Sequence, residues 1–199
     1  MPGASDTRYE DLEVIALVAS AGGLAAVSEV LAGLPADLNA AVVVLIHQQP
    51  GRESALAEVL RRRSTLPVET AQDETALRAG IVVVAPPGKH VLIAPGPTLS
   101  LIVSGAAPPS RPSADLLLAT LATACGRRAT AVVLSGGGHD GATGATAVHH
   151  FGGRVLASSE PTSEHFSMPL ATIGRDAVTD RIVALNDIAG LLASTVAAT

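Results

Sequence analysis

Val14-Ile15-Ala16-Leu17-Val18-Ala19-Ser20-Ala21-Gly22-Gly23 is an apolar run that ends in one hydroxyl and two glycines. Its length and β-branched content are those of a buried strand, and Leu24 to Leu31 after it has helical spacing of apolar residues. Ser20 therefore falls on a tight strand-to-helix turn. Such a turn presents a side chain at the carboxyl end of a sheet, beside the unpaired amides of the next helix, where negative charge is favoured. That is the setting a serine nucleophile needs. A serine that merely caps the helix would read the same way, so the rest of the chain must decide.

The 199 residues are enough for one well-packed domain, and a single one is expected from residue 12 to 199 behind a disordered lead-in over 1–11. Hydrophobic residues make up 48% but aromatics only 2%, so the core must be built from Val, Leu, Ile and Ala, which suits a parallel α/β sheet. Thirteen basic against 18 acidic residues give a net charge of −5, and the one basic cluster, Arg61-Arg62-Arg63, closes a helix-like segment where cations suit the dipole. Nucleic acid is not an expected partner. The single Cys125 excludes an internal disulfide. With no apolar leader in residues 1–10 and no apolar run longer than Ala40 to Ile46, no membrane insertion is expected and the cytoplasm is the default location.

Along the chain, Ala40 to Ile46 reads as a second buried strand ending in His47, Glu53 to Arg63 as a helix, and Leu66 to Thr70 as a short strand. The middle changes character. Residues 81–85, 91–94 and 99–103 are short strands between Pro- and Gly-rich turns, which predicts a hairpin or small meander. A stiff loop over 106–112 leads to Ser113, an N-cap for a helix running to Cys125. Thr130 to Leu134 is again a buried strand, broken by Ser135-Gly136-Gly137-Gly138-His139-Asp140-Gly141 before a helix over 142–151. A strand over 154–157, a short helix over 168–173 and a closing helix over 187–197, capped by Asn186 or Asp187, complete the pattern. The alternation implies right-handed crossovers and a mostly parallel α/β sheet with a small antiparallel hairpin.

Three apolar strands thus end in Ser20, in His47 and in a glycine-rich loop carrying Asp140. Strand carboxyl ends line the ligand crevice of an open parallel sheet, so the three residues can converge as nucleophile, base and orienter of acyl transfer. Each also has a plain structural role open to it: His47 bonded to backbone, Asp140 capping the helix at Gly141. The order Ser, His, Asp differs from that of α/β-hydrolases.

The motifs Ser20-Ala21-Gly22-Gly23-Leu24, Ile46-His47-Gln48-Gln49-Pro50, Val83-Val84-Ala85-Pro86-Pro87-Gly88-Lys89-His90, Arg111-Pro112-Ser113-Ala114-Asp115, Leu134-Ser135-Gly136-Gly137-Gly138-His139-Asp140-Gly141-Ala142 and Ser167-Met168-Pro169 occur in the order seen in the catalytic domain of chemotaxis protein-glutamate methylesterases. The chain resembles that family over roughly residues 12–195. The resemblance implies a doubly wound, three-layer α/β/α fold with a mostly parallel sheet and a small antiparallel hairpin, hydrolysis of glutamate γ-methyl esters on chemoreceptor-type proteins, and glutamine deamidation at the same kind of site. It matches Ser20 to the nucleophile, His47 to the base and Asp140 to the orienting acid, with Ala21, Gly22, Gly137 and Gly138 around the oxyanion and substrate pocket.

Four departures from the family pattern stand out. Val18 occupies a position that is usually Gly, Ala21 one that is often Thr, and Ser135-Gly136-Gly137-Gly138 replaces the commoner Thr-Gly-Met-Gly. The family also usually carries an N-terminal receiver domain, and with eleven lead-in residues regulation is expected to be absent or supplied by a separate receiver-domain partner. Val18 should either open the elbow, so that Val18→Gly raises kcat/KM, or point away into a sheet neighbour. A methylesterase-like binding module without turnover is the alternative to an active esterase. Among other polar groups, His149 and His150 diverge on a helix and suit its surface, His139 suits the crevice, and His90 and His165 suit surface turns. No His, Cys or carboxylate spacing suits a metal, so neither metal nor cofactor is expected.

Overall fold

A computed structural model describes residues 11–50, 54–103 and 112–198. The lead-in up to residue 10, residues 106–111 of the stiff loop, and the expected helix start at Glu53 lie outside them. In chain order the elements are β1 (Glu13–Ala19), α1 (Gly23–Gly33), β2 (Ala40–Ile46), α2 (Leu56–Arg61), β3 (Val68–Thr70), β4 (Val82–Val84), β5 (Lys89–Ala94) and β6 (Thr98–Val103). They continue as α3 (Ala114–Cys125), β7 (Ala129–Val133), α4 (Ala142–His150), β8 (Arg154–Ser158), α5 (Ser167–Ile173), β9 (Arg181–Val183) and α6 (Leu185–Ala197).

Seven strands form one parallel sheet in the order β3-β4-β2-β1-β7-β8-β9, and β5 pairs antiparallel with β6 outside it. The chain enters the sheet at its middle, winds to one edge, and crosses back to the other side of β1. The switch point lies between β1 and β7, where the carboxyl ends of such sheets open a crevice. Side chains alternate across β1. Val14, Ala16 and Val18 pack with Leu117, Leu118 and Leu121 of α3, Val148 of α4 and the hairpin's Val91 and Ile93, whereas Ile15, Leu17 and Ala19 pack with Val27, Val30 and Leu31 of α1 and Ile188 and Leu192 of α6. Burial on both faces is why the inner strands read as continuous apolar runs.

The structure corrects several expected boundaries. The helix expected to run to Arg63 ends at Arg61, whose guanidinium turns back to donate to the Val68 carbonyl at 3.2 and 3.0 Å, while Arg62 pairs with Glu58. The closing helix starts at Leu185 and uses neither Asn186 nor Asp187 as its cap: the Leu185 amide donates to Thr162 Oγ1 at 3.0 Å. Strand β5 starts at Lys89, two residues before Val91, which draws His90 out of the expected surface turn into the interior at 6% exposure. Strand β9 went unread because it is a three-residue edge strand with an exposed Ile182 and no apolar alternation. Among the described residues no helix is long and apolar enough to cross a membrane.

Candidate active site

The register of β1 and β2 ends with Ala19 opposite Ile46, and the His47 amide continues the ladder to the Ala19 carbonyl at 3.1 Å. Ser20 and His47 are therefore neighbours one step past the last pair. Alternation puts both on the face of Val18 and Leu45, toward α3 and α4. The Ser20 amide donates to the Ser135 carbonyl at 2.9 Å, which fastens the turn to the end of β7. Helix α1 opens at Gly22, with φ of 72° and no side-chain cap, so Ser20 is not a helix cap. Glycine is required there by the left-handed backbone.

Asp140 meets His47 from the other side of β1. His47 Nε2 donates to Asp140 Oδ2 at 2.8 Å, which leaves Nδ1 as the ring nitrogen able to take a proton. Asp140 is 8% exposed and does not cap α4; it caps α3. Oδ2 also accepts from the Ala114 amide at 2.8 Å, and Oδ1 from the Asp115 amide at 2.9 Å and Ser113 Oγ at 3.3 Å. Burial alone would raise the Asp140 pKa. The hydrogen bonds from His47, Asp115 and Ala114 and the imidazole's charge outweigh it and hold the carboxyl below its ordinary 3.8. The twelve-residue α3 presents its positive end to the same charge. His47 and Asp140 are thus joined directly, whereas Ser20 Oγ lies beside them with no hydrogen bond among the described residues.

The loop between β7 and α4 is clamped near its start. Ser135, 2% exposed, donates from Oγ to the Ala21 carbonyl at 2.9 Å and accepts the His165 amide at 2.9 Å. The Gly136 amide donates to the His165 carbonyl at 2.8 Å and its carbonyl accepts the Met168 amide at 3.0 Å. Gly136 is tightly enclosed: a Cβ there would lie 2.2 Å from Met168 Sδ and 3.0 Å from Ser20 Cβ. Gly137 and Gly138 face open space, and the amides of Ala21, Gly22, Gly137 and Gly138 make no hydrogen bond among the described residues. Val18 is buried on the face of β1 that α3 and α4 cover, and points to that layer, not into a sheet neighbour. Its Cγ2 lies an ordinary 3.6 Å from the position a Gly141 Cβ would take, and the close approach at the elbow is instead between Gly23 and Ala19.

A cleft of about 440 Å³ opens from Ser20 between Gly22, Leu24, Val59, Arg63 and Glu164. His139, His149, His150 and His165 are all exposed. Two contributors went unread as site residues. Asp115 Oδ1 accepts the Gly141 amide at 2.9 Å and the Gly144 amide at 2.8 Å. His90 Nδ1 accepts the Ser113 amide at 3.0 Å. The only sequence signal for either was its place in a motif, because both act through helix ends brought together by the crossover. Among the described residues no group of three His, Cys, Asp or Glu side chains is placed to hold a metal.

The match to known proteins has the same extent as this architecture. The profile of the CheB methylesterase family matches residues 15–192. A protein-glutamate methylesterase/protein-glutamine glutaminase of Myxococcus xanthus is 40% identical over 184 residues, 91% of this chain and 53% of its own length. A second, of Anaeromyxobacter dehalogenans, is 37% identical over 187 residues, 93% of this chain and 54% of its own. The chain thus spans about half the length of the curated relatives it matches. The crystal structure of the Thermotoga maritima CheB methylesterase catalytic domain superposes with a TM-score of 0.87 at 29% identity, covering 92% of this chain and 98% of that one. Fold, motif order and profile agree along nearly the whole described sheet, and the chain belongs to the CheB methylesterase family.

Proposed function

We propose that the chain is a serine hydrolase that cleaves γ-methyl esters of glutamate on chemoreceptor-type proteins in the cytoplasm, and that it deamidates glutamine at the same kind of site. The observation that carries the reading is the 2.8 Å hydrogen bond to a buried, acidic Asp140 from His47, which follows the last residue of β2 next to Ser20. Ser20 Oγ attacks the ester carbonyl carbon as its proton passes to His47 Nδ1, and Asp140 stabilises the imidazolium. The carbonyl electron pair moves onto oxygen, where the amides of Ala21, Gly22, Gly137 and Gly138, which make no hydrogen bond among the described residues, can donate. Collapse expels methanol, which takes the proton back from His47, and leaves an acyl-serine. Water activated by His47 then releases the glutamate carboxylate and regenerates Ser20. With glutamine, ammonia leaves in place of methanol.

The test is methanol release from a methylated receptor fragment. The wild type should release methanol, and Ser20→Ala should fall by several orders of magnitude. Equal behaviour of the two refutes the reading. That Ser20 Oγ makes no hydrogen bond among the described residues favours a second reading, a methylesterase-like binding module without turnover. Covalent labelling of Ser20 by a serine-directed phosphonate would exclude that module.

A further inference from the structure

The carboxylates of Asp115 and Asp140 are exchanged between two helices. Asp140, two residues before α4 begins, caps α3 through the Ala114 and Asp115 amides at 2.8 and 2.9 Å. Asp115, in the first turn of α3, caps α4 through the Gly141 and Gly144 amides at 2.9 and 2.8 Å. Neither helix start offers its neighbour space to drift: a Cβ on Gly144 would lie 2.6 Å from Leu118 Cβ and 2.9 Å from the Asp115 carbonyl oxygen. Gly141 adopts φ of 100° to make the turn. Four amide-to-carboxylate bonds thus run in both directions across one helix crossing, and one of the two carboxylates also holds His47.

From this geometry we infer that Asp115 is a positioning residue for hydrolysis: by holding the Gly141 amide it fixes the backbone next to Asp140 and so the direction from which Asp140 meets His47. This inference rests on the proposed esterase reading. Asp140 Oδ2 is shared between the Ala114 amide and His47 Nε2, both at 2.8 Å, so a shift of the Asp140 backbone lengthens one bond or the other. The loop before it cannot resist such a shift, because Gly137 and Gly138 have nothing within 4 Å of a Cβ position. Its order must come from its ends, from Ser135 on one side and Asp115 on the other. Burial raises the pKa of Asp115 and the charge of Asp140 adds to the rise, while the amides of Gly144, Gly141 and Thr143 oppose it. Both amides use Oδ1, so asparagine keeps their acceptor and the shape of the side chain.

The experiment compares Asp115→Ala and Asp115→Asn with wild type by kcat and KM on a small glutamate methyl ester, and by the far-downfield proton resonance of His47 Nε2–H. Asp180→Ala serves as the control, because the Asp180 carboxylate accepts the Val155 amide at 2.7 Å at the start of β8, away from the strand ends that carry the site. Asp115→Ala should lower kcat by about 10- to 100-fold, on the scale of a 1 Å misplacement, with little change in KM. It should also broaden or lose the His47 resonance. Asp115→Asn, which keeps an oxygen for both amides, should recover most of kcat and the resonance. Wild-type kcat and resonance in Asp115→Ala overturn the inference. So does an equal loss of kcat in Asp180→Ala at a matched fall in Tm, or an Asp115→Asn as impaired as Asp115→Ala. If wild type releases no methanol, the esterase reading fails on its own, and the His47 resonance of Asp115→Ala still decides whether Asp115 positions the pair.

Discussion

Gly136→Ala should disturb the candidate site through one methyl group. The backbone accepts alanine, since Gly136 is not among the glycines with positive φ. The obstacle is space: the new Cβ would lie 2.2 Å from Met168 Sδ, 3.0 Å from Met168 Cγ and 3.0 Å from Ser20 Cβ. Carbon contacts settle near 3.5–4.0 Å, so the methionine must move by more than about 1 Å and Ser20 by roughly 0.5–1 Å. Met168 is fully buried, which limits where its sulfur can go. Overpacking of this kind costs about 1–3 kcal/mol. A displacement of about 1 Å at the nucleophile lowers kcat/KM by on the order of 10²-fold. Urea unfolding and ester hydrolysis measure the two effects separately. Met168→Ala opens space on one side of the new methyl, so the double variant should be more stable than the sum of the single losses predicts. Wild-type Tm together with wild-type kcat/KM in Gly136→Ala would refute the reasoning, since neither neighbour would then have been in the way.

Val18→Gly should lose about 1–3 kcal/mol in denaturant unfolding, from lost buried surface and added backbone freedom, and gain no activity, because Val18 is buried toward α3 and α4 and the close approach at the elbow is between Ala19 and Gly23; a rise in kcat/KM would restore the strained-elbow idea. Asp140 has a folded pKa below its ordinary 3.8, so its contribution to stability is present above that value and is lost as pH falls through the lower folded one. The stability gap between wild type and Asp140→Ala, about 1–3 kcal/mol for each amide left without an acceptor, should narrow as pH falls below about 4. Cys125, at 4% exposure, has its thiol pushed up to about 11 chiefly by burial, so a disulfide reagent at pH 8 should label it only on unfolding; rapid labelling of the native protein would contradict that burial.

The parallel sheet was legible because β1, β2 and β7 are buried on both faces and so appear as unbroken apolar runs, each followed by a polar side chain at its carboxyl end. That alone placed Ser20, His47 and the Asp140 loop at the carboxyl ends of the central strands. What each side chain does there was not legible, because a capping serine, a backbone-bonded histidine and a capping aspartate leave the same sequence trace. Geometry separates them: α1 takes no side-chain cap, His47 reaches Asp140, and Asp140 caps α3 instead of α4. His90 and Asp115 were unreadable for a related reason. Their partners, the Ser113 amide and the Gly141 and Gly144 amides, are 23 to 29 positions away and meet them only after the hairpin and α4 pack on α3.

The glycines at 137 and 138 then take on a more limited meaning than their departure from the commoner Thr-Gly-Met-Gly pattern suggests. Bulk at 137 is not needed to anchor the loop, because Ser135 ties its start to Ala21 and His165, and Asp115 ties its end at Gly141. What two unpacked glycines do change is the freedom of their own amides, Gly138 at φ of 82° among them. Each such residue loses roughly 0.5–1 kcal/mol more entropy than alanine when its backbone is fixed. If those amides receive the oxyanion, that entropy is lost in the transition state, and the chain should be slower than a relative with a packed loop by about a factor of 2 to 5 for each glycine, not by orders of magnitude. The His47–Asp140 pair, held at the start of α3, is untouched by it.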